Sequence, residues 1–255
     1  KMIKLYVIIN LIFFSTYVQG RELGQTEITA EDGIEVFQDQ KFYLLKKNVK
    51  IESDDFILLG DLVKIFFDKD LNDIKTIDAN GNVSLESAEY KLKASGSKVF
   101  FTLANEEIIV EGIKSLLIIE DTEMYSDGKI KVNNINGNFN LTGNNSKLKS
   151  QNNIIKGKSI NGSFSSFNKE REVSSLNVFD ENLAYLKTNS TEMFANKITY
   201  NKESSLFELE DNVKIKSEAE TITGDYGTLD TKTNSYKIKS KNSKRVKVLI
   251  SDADE

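Results

Sequence analysis

Hydrophobic and polar residues alternate in short runs along most of the chain, and three of these runs share one register. The sequence Asn-Val-Lys-Ile at 48–51 returns as Asn-Val-Ser-Leu at 82–85 and as Asn-Val-Lys-Ile at 212–215. Further apolar residues follow each Asn at ten, seventeen and twenty-six positions, and the copies align without a gap over 27 residues. A period of two residues is typical of a strand with one buried face. The longer repeat indicates stacked β units that share a core.

Turn-forming pairs separate these strand-like runs. Asp-Gly or Asn-Gly occurs at 32–33, 80–81, 127–128, 136–137 and 161–162, and such pairs favour tight hairpins. The first and third copies also carry Gly-Asp twelve residues after the Asn, where the second copy has Ala-Ser, and a glycine there suits a bulge or a sharp bend. Turns this frequent leave little room for long helices. The sequence therefore predicts an all-β fold.

The repeat is strong in two blocks and weak between them. We assign residues 21–119 and 182–255 to N-terminal and C-terminal β repeats. The Asn/Ser/Gly-rich stretch at 120–181 is interpreted as degenerate rungs with longer loops. A linker or a partly disordered insert is the alternative, since polar segments bury little apolar surface.

The N-terminal segment 1–20 differs from everything after it. Lysines flank the start of an apolar run at 5–14, and Val-Gln-Gly at 18–20 supplies small residues suited to cleavage before Arg21. This pattern is typical of a secretory signal peptide. The run is shorter than the roughly 20 residues that a membrane-spanning helix needs, so we expect cleavage and export. A retained membrane anchor is the alternative.

The amino-acid composition limits the catalytic and metal-binding chemistry that the chain can perform. The 255 residues include no cysteine, histidine, tryptophan or proline, which excludes Ser-His-Asp and Cys-His nucleophiles and zinc sites built from His or Cys. A net charge of −5 disfavours nucleic acid as a partner. Carboxylate pairs such as Asp54-Asp55 and Glu106-Glu107 fall in predicted turns or on exposed strand faces, where solvated acids are common. We therefore expect a non-enzymatic protein without a metal or a cofactor.

Several segments together resemble the OstA/LptA family of periplasmic lipopolysaccharide-transport proteins. They are the opening Ile-Thr-Ala-Glu-Asp-Gly-Ile-Glu at 28–35, the repeated Asn-Val-x-Ile/Leu, the segment Ile-Asp-Ala-Asn-Gly-Asn-Val at 77–83, and the ending at 234–250 with Arg-Val-Lys-Val. These matches cover about two thirds of the chain after residue 20. The stretch at 120–180 departs from the pattern and makes the chain longer than a compact family member.

The resemblance implies an elongated antiparallel β-jellyroll of stacked repeats, open along one side, in the periplasm. It implies that the interior holds the lipid A acyl chains of lipopolysaccharide while the sugars and phosphates stay outside. It also implies edge-strand pairing with inner-membrane and outer-membrane Lpt components, and head-to-tail self-association. The basic run at 237–247 lies in the last rung, and charges that block such pairing are the alternative reading of it.

Twelve apolar side chains of the first two copies would line the lipid slot if the repeat faces inward. They stand one, three, eight, ten, seventeen and nineteen residues after each Asn. They are Val49, Ile51, Phe56, Leu58, Ile65, Phe67, Val83, Leu85, Tyr90, Leu92, Val99 and Phe101. Acyl chains need such a slot because exposing apolar surface to water costs about 25 cal/mol per Å². The alternative is that these side chains fill a closed sandwich core.

Two other functions stay open at this point. A membrane-tethered, LptC-like partner of the same bridge would retain an N-terminal helix, so a mature N terminus near Arg21 would argue against it. An exported β-solenoid that binds or cleaves polysaccharide would also show a short repeat. Polysaccharide binders usually expose aromatic platforms, however, and this chain has no tryptophan. Cleavage would be supported by an acidic cluster that recurs at one repeat position, and none recurs.

Overall fold

A computed structural model describes residues 21–69, 73–167, 170–241 and 245–250 of the chain. Within these ranges, eighteen strands join one sheet, and all their pairings are antiparallel. The strands are β1 (Glu27–Thr29), β2 (Ile34–Phe37), β3 (Phe42–Glu52), β4 (Ile57–Phe67), β5 (Ile74–Ser87), β6 (Leu92–Thr102), β7 (Glu107–Glu111), β8 (Ser115–Ile119), β9 (Thr122–Ser126), β10 (Lys129–Asn133), β11 (Asn138–Ser150), β12 (Asn153–Phe167), β13 (Glu170–Lys187), β14 (Glu192–Asn201), β15 (Leu206–Lys216), β16 (Glu220–Asp230), β17 (Ser235–Lys239) and β18 (Lys247–Ile250). The prediction of an all-β antiparallel fold is confirmed, and a parallel solenoid is excluded for the described strands.

The predicted signal peptide at 1–20 lies outside the described residues. Among the residues that are described, the structure has no helix with the length and apolarity needed to cross a membrane.

The strands pair in one continuous ladder. Strands β3 to β6 form one meander and β11 to β16 another. Four short strands join the two meanders by two routes from β6 to β11. One route runs through β7 and β10, and the other runs through β8 and β9. Each end of the ladder carries two short strands, β1 and β2 on β3, and β17 and β18 on β16.

Each long strand passes through two leaves of the molecule. Its pairing shifts register near the middle, for example between Lys46 and Val49 in β3 and between Glu210 and Val213 in β15. The short strands identify the leaves: leaf A contains β2, β7, β10 and β17, leaf B contains β1, β8, β9 and β18, and every long strand contributes to both. Apolar side chains of the two leaves form one buried cluster, so the leaves pack face to face.

The repeated Asn lies at the bend between the leaves. Asn48, Asn82 and Asn212 have φ angles of 46°, 46° and 54°, in the left-handed region that Asn tolerates better than most residues. The side-chain amide of each donates a hydrogen bond to a neighbouring segment, as Asn212 Nδ2 does to Asn196 Oδ1 at 2.6 Å. The Asn in the repeat is therefore explained by the backbone that the bend requires.

The gap-free alignment of the repeat is wrong in the second copy, whose leaf B hairpin is two residues longer. Ile51 pairs with Leu58 in the first copy, whereas Leu85 pairs with Ala94 in the second. A glycine still lies opposite the valine that follows each bend, and in the second copy it is Gly96. A displacement of two residues preserves which face a side chain occupies, so the inward parity of later positions survives.

The centre of the interior is tightly filled. Strands β8 to β12 supply side chains that are fully buried between the leaves: Leu117, Met124, Ile130, Leu141, Leu148 and Ile160. Strands β9 to β12 lie in the polar stretch at 120–181, and they pair within the same ladder as their neighbours.

Candidate functional site

An apolar cavity of about 470 Å³ lies between the leaves in the N-terminal part of the ladder. We call it the first cavity; residues of β4 to β8, of β10 and of the adjoining turns line it. Its floor is made by aliphatic side chains from both leaves, namely Leu58, Ile77, Leu85, Val99, Ile108 and Val132. Cavities of about 300–1,000 Å³ with mostly apolar walls are typical of sites for small molecules.

The hairpin turns of both leaves form the rim of the first cavity, on the side opposite the bends. The turns that follow β3, β5 and β8 belong to leaf B and bring Asp55, Glu89 and Glu120 to the rim. The turns that follow β6 and β10 belong to leaf A and bring Glu106 and Asn134. An apolar floor below a charged rim is the arrangement that suits an amphiphile.

Seven of the twelve predicted slot residues line the first cavity. They are Phe56, Leu58, Leu85, Tyr90, Leu92, Val99 and Phe101. The other five are buried in the core away from this cavity: Val49, Ile51, Ile65, Phe67 and Val83. A role of these residues in lipid binding stays a prediction, and the structure divides them into cavity walls and closed core.

The predicted inward position of the Tyr90 side chain is wrong. The sequence places it at an inward position, but it lies in the turn after β5 and its side chain is 62% exposed. The longer hairpin of the second copy is the reason, since the position that holds half-buried Phe56 in the first copy falls in the turn of the second. Tyr90 therefore stands at the mouth of the cavity and not on its floor.

The rim concentrates negative charge. Asp55 lies against Glu89, and its hydrogen bond and charge raise the pKa of Glu89 above its ordinary value. The charge of Glu89 is the largest cause of a raised pKa at Tyr90, and Glu106 on the opposite leaf also contributes. Asn134 donates its side-chain amide to the carboxylate of Glu106. The two leaves thus come close enough at the mouth for their charged groups to interact across it.

Sequence reasoning missed several cavity residues. Ile108 stands twenty-six residues after Asn82 in the repeat register, so a signal for it was present. Val132 lies in the stretch where the repeat fades, and only its pairing partner in β7 brings it to the floor. Asp55 and Glu106 are exposed acids in turns, as predicted, but nothing in the sequence indicates that their turns meet at one mouth.

A second cavity, also of about 470 Å³, lies between the leaves among β11 to β16. It shares no lining residue with the first, and the filled centre separates the two. Its floor includes Leu176, Leu186 and Phe207, while amide and hydroxyl side chains dominate its rim. The charged rim residues Glu172 and Lys202 form an ion pair with each other, so the charges at this mouth balance.

Metal chemistry finds no support in the described part of the chain, where no group of three or more Asp or Glu side chains could hold an ion. The acids at the first mouth are spread over separate turns, and their chemistry is that of charge and hydrogen bonding.

Comparisons with known proteins find similar solved structures but no matching family model or curated protein. Among solved structures, the chain is similar to LptH, the LptA-homologous periplasmic component of the lipopolysaccharide transport device of Pseudomonas aeruginosa. The identity is 13%, the match covers 51% of this chain and 95% of that chain, and the TM-score is 0.42. We therefore base the function on the geometry of this chain itself.

Proposed function

We propose that this protein is a non-enzymatic periplasmic carrier that shields the acyl chains of lipopolysaccharide between the inner and outer membranes. The first cavity carries the proposal, because it combines an aliphatic floor of about 470 Å³ with a rim that opens between two sets of hairpins. Each CH₂ group buried there contributes about 0.8 kcal/mol to binding. Lipopolysaccharide is chosen as the lipid because of the family resemblance of the sequence.

The ends of the ladder support the bridging part of the proposal. In the described chain, β2 and β18 each pair with one strand only, which leaves backbone groups available for strand addition. Both expose apolar side chains: Ile34 and Val36 are each 45% exposed, and Ile250 is 75% exposed. We propose that Lpt components of the two membranes, and further copies of this chain, pair at these edges.

Photo-crosslinking with purified lipopolysaccharide tests the lipid site. Phe101 lines the first cavity, and the adjacent Phe100 has the opposite parity on the same strand, so the two give a matched pair. A benzophenone amino acid is placed at either position, with a third probe at Phe56 in the cavity and a fourth at exposed Lys50. The proposal expects crosslinks at Phe101 and Phe56, and few at Phe100 or Lys50.

Equal crosslinking at Phe100 and Phe101 would mean that the lipid only adheres to the outer surface. No crosslink at any position, in variants whose circular dichroism matches that of the unmodified protein, would mean that the interior is a closed core. Either result rejects the carrier.

A further inference from the structure

The first cavity has an acidic mouth above an apolar floor. Four carboxylates and one ammonium group stand on its rim: Asp55, Glu89, Glu106, Glu120 and Lys91. The second cavity offers an internal comparison, since its two charged rim residues neutralise each other. The two cavities have equal volumes, but the first has the more apolar wall and carries the unbalanced charge at its entrance.

Three of the mouth carboxylates lack a cationic partner. Among the described residues, Asp55, Glu89 and Glu106 form no ion pair, while many other acids of the sheet do, such as Glu111 with Lys129 at 3.0 Å. Asp55 and Glu89 also crowd each other, and the raised pKa of Glu89 is the consequence. Within the described residues, the negative charges of these three carboxylates are therefore not cancelled by an ion pair.

The charge comes from both leaves and surrounds the entrance. Asp55 and Glu89 belong to leaf B turns, which a hydrogen bond of 2.6 Å from Ser87 Oγ to the carbonyl oxygen of Asp55 holds together. Glu106 belongs to a leaf A turn on the other side of the mouth. Charges of one sign around a cleft with apolar walls focus the electric field into it, because the walls screen poorly.

We infer that the acidic mouth selects amphiphiles by headgroup: it admits an alkyl chain whose headgroup is cationic or uncharged, and holds anionic groups away. This inference rests on the proposed function, because it concerns the same cavity. It adds an orientation: an anionic lipid bound there keeps its phosphates at a distance from these turns and presents an uncharged part of its headgroup to them.

Three amphiphiles with the same twelve-carbon chain provide the test: dodecyltrimethylammonium, dodecyl maltoside and dodecanoate. Each displaces a fluorescent apolar probe from the full chain, below its micelle concentration and at low salt. We expect the cation to bind about tenfold or more tighter than the anion, with the maltoside between them. Raising the salt to about 0.5 M should shrink this ratio to about threefold or less, since the Debye length then falls below the width of a headgroup contact.

Neutral isosteres test whether the mouth carboxylates cause the preference for the cationic amphiphile. The variant Asp55→Asn/Glu89→Gln/Glu106→Gln should bind the cation and the anion within about threefold of each other at low salt. The control Asp32→Asn/Asp39→Asn removes negative charge from exposed positions that do not line the cavity, and it should keep the tenfold ratio. If the triple variant fails to fold, Glu89→Gln alone should reduce the ratio measurably.

The two proposals fail in different ways. Binding of all three amphiphiles with equal affinity, or tighter binding of dodecanoate, overturns the headgroup selection and leaves the lipid cavity in place. A ratio that the triple variant leaves unchanged overturns it as well. Absence of binding by all three, in folded protein, rejects the lipid cavity and the selection with it.

Discussion

Replacing Asn212 with valine tests whether the bends between the leaves depend on left-handed backbone. Asn212 is exposed, has a φ of 54°, and donates its amide to Asn196 Oδ1 at 2.6 Å. A β-branched residue in this conformation is strained by about 1–2 kcal/mol, and the lost hydrogen bond adds about 0.5–1 kcal/mol. We expect the free energy of unfolding to fall by about 1.5–3 kcal/mol.

The sign of the change in unfolding free energy distinguishes strain at the bend from the ordinary preference of valine for strands. Valine is a better strand former than asparagine, so at a regular exposed strand position the same change stabilises by up to about 1 kcal/mol. Lys216→Val supplies that control, because Lys216 is exposed near the end of the same strand and has ordinary backbone. Asn212→Gly keeps access to the left-handed region, and it should cost less than the valine variant.

Urea unfolding followed by far-ultraviolet circular dichroism measures these differences, since the chain has no tryptophan to report them. An Asn212→Val protein as stable as the unmodified chain, or more stable, would refute the account of the bend. So would equal losses in the valine and glycine variants.

Two further predictions concern packing and charge. Leu148 is fully buried at the filled centre, so Leu148→Ala should lower the free energy of unfolding by about 3–5 kcal/mol in the same urea assay. Leu92 lies at the cavity wall, so Leu92→Ala should lower it by about 2 kcal/mol or less. Equal losses in the two variants would contradict this difference between centre and cavity wall. Glu89→Gln should raise the melting temperature at pH 7, because Asp55 raises the pKa of Glu89 in the folded state and so the ionised pair destabilises the fold above that pKa. This gain should disappear as the pH falls below the ordinary glutamate value of 4.5, and a gain that grows on acidification would contradict the assignment.

The period-two alternation predicted the strands, because it is local, whereas the bends at the repeated Asn emerged only from the structure. The Asn-Gly pairs at 80–81 and 161–162 were expected to form hairpins, but they lie inside β5 and β12. Alternation of period two follows from one buried face, and the Asn at 48, 82 and 212 follows from a backbone that few other residues adopt. The length of the second hairpin was not predictable in the same way. Residues 86–91 are mostly polar, so they fit a turn in either of two registers, and only pairing selects Ser87 opposite Leu92.

The cavities depend on contacts between segments far apart in the chain. Val132 reaches the first cavity because β10 pairs with β7, and β10 lies in the stretch where the repeat fades. The acidic mouth likewise arises from turns that meet only when two leaves fold onto each other. A pattern read along one strand contains no information on which turns will meet, so Asp55 and Glu106 gave no signal of their shared location.

The filled centre determines how ligands of the two cavities would exchange. Leu148 and its fully buried neighbours stand between the two cavities, so a chain bound in one has no internal passage to the other. A ligand in either cavity should therefore exchange with the outside independently of the other. In a relay of such molecules, a ligand would advance by leaving through the open rim and entering again, one discrete transfer at a time.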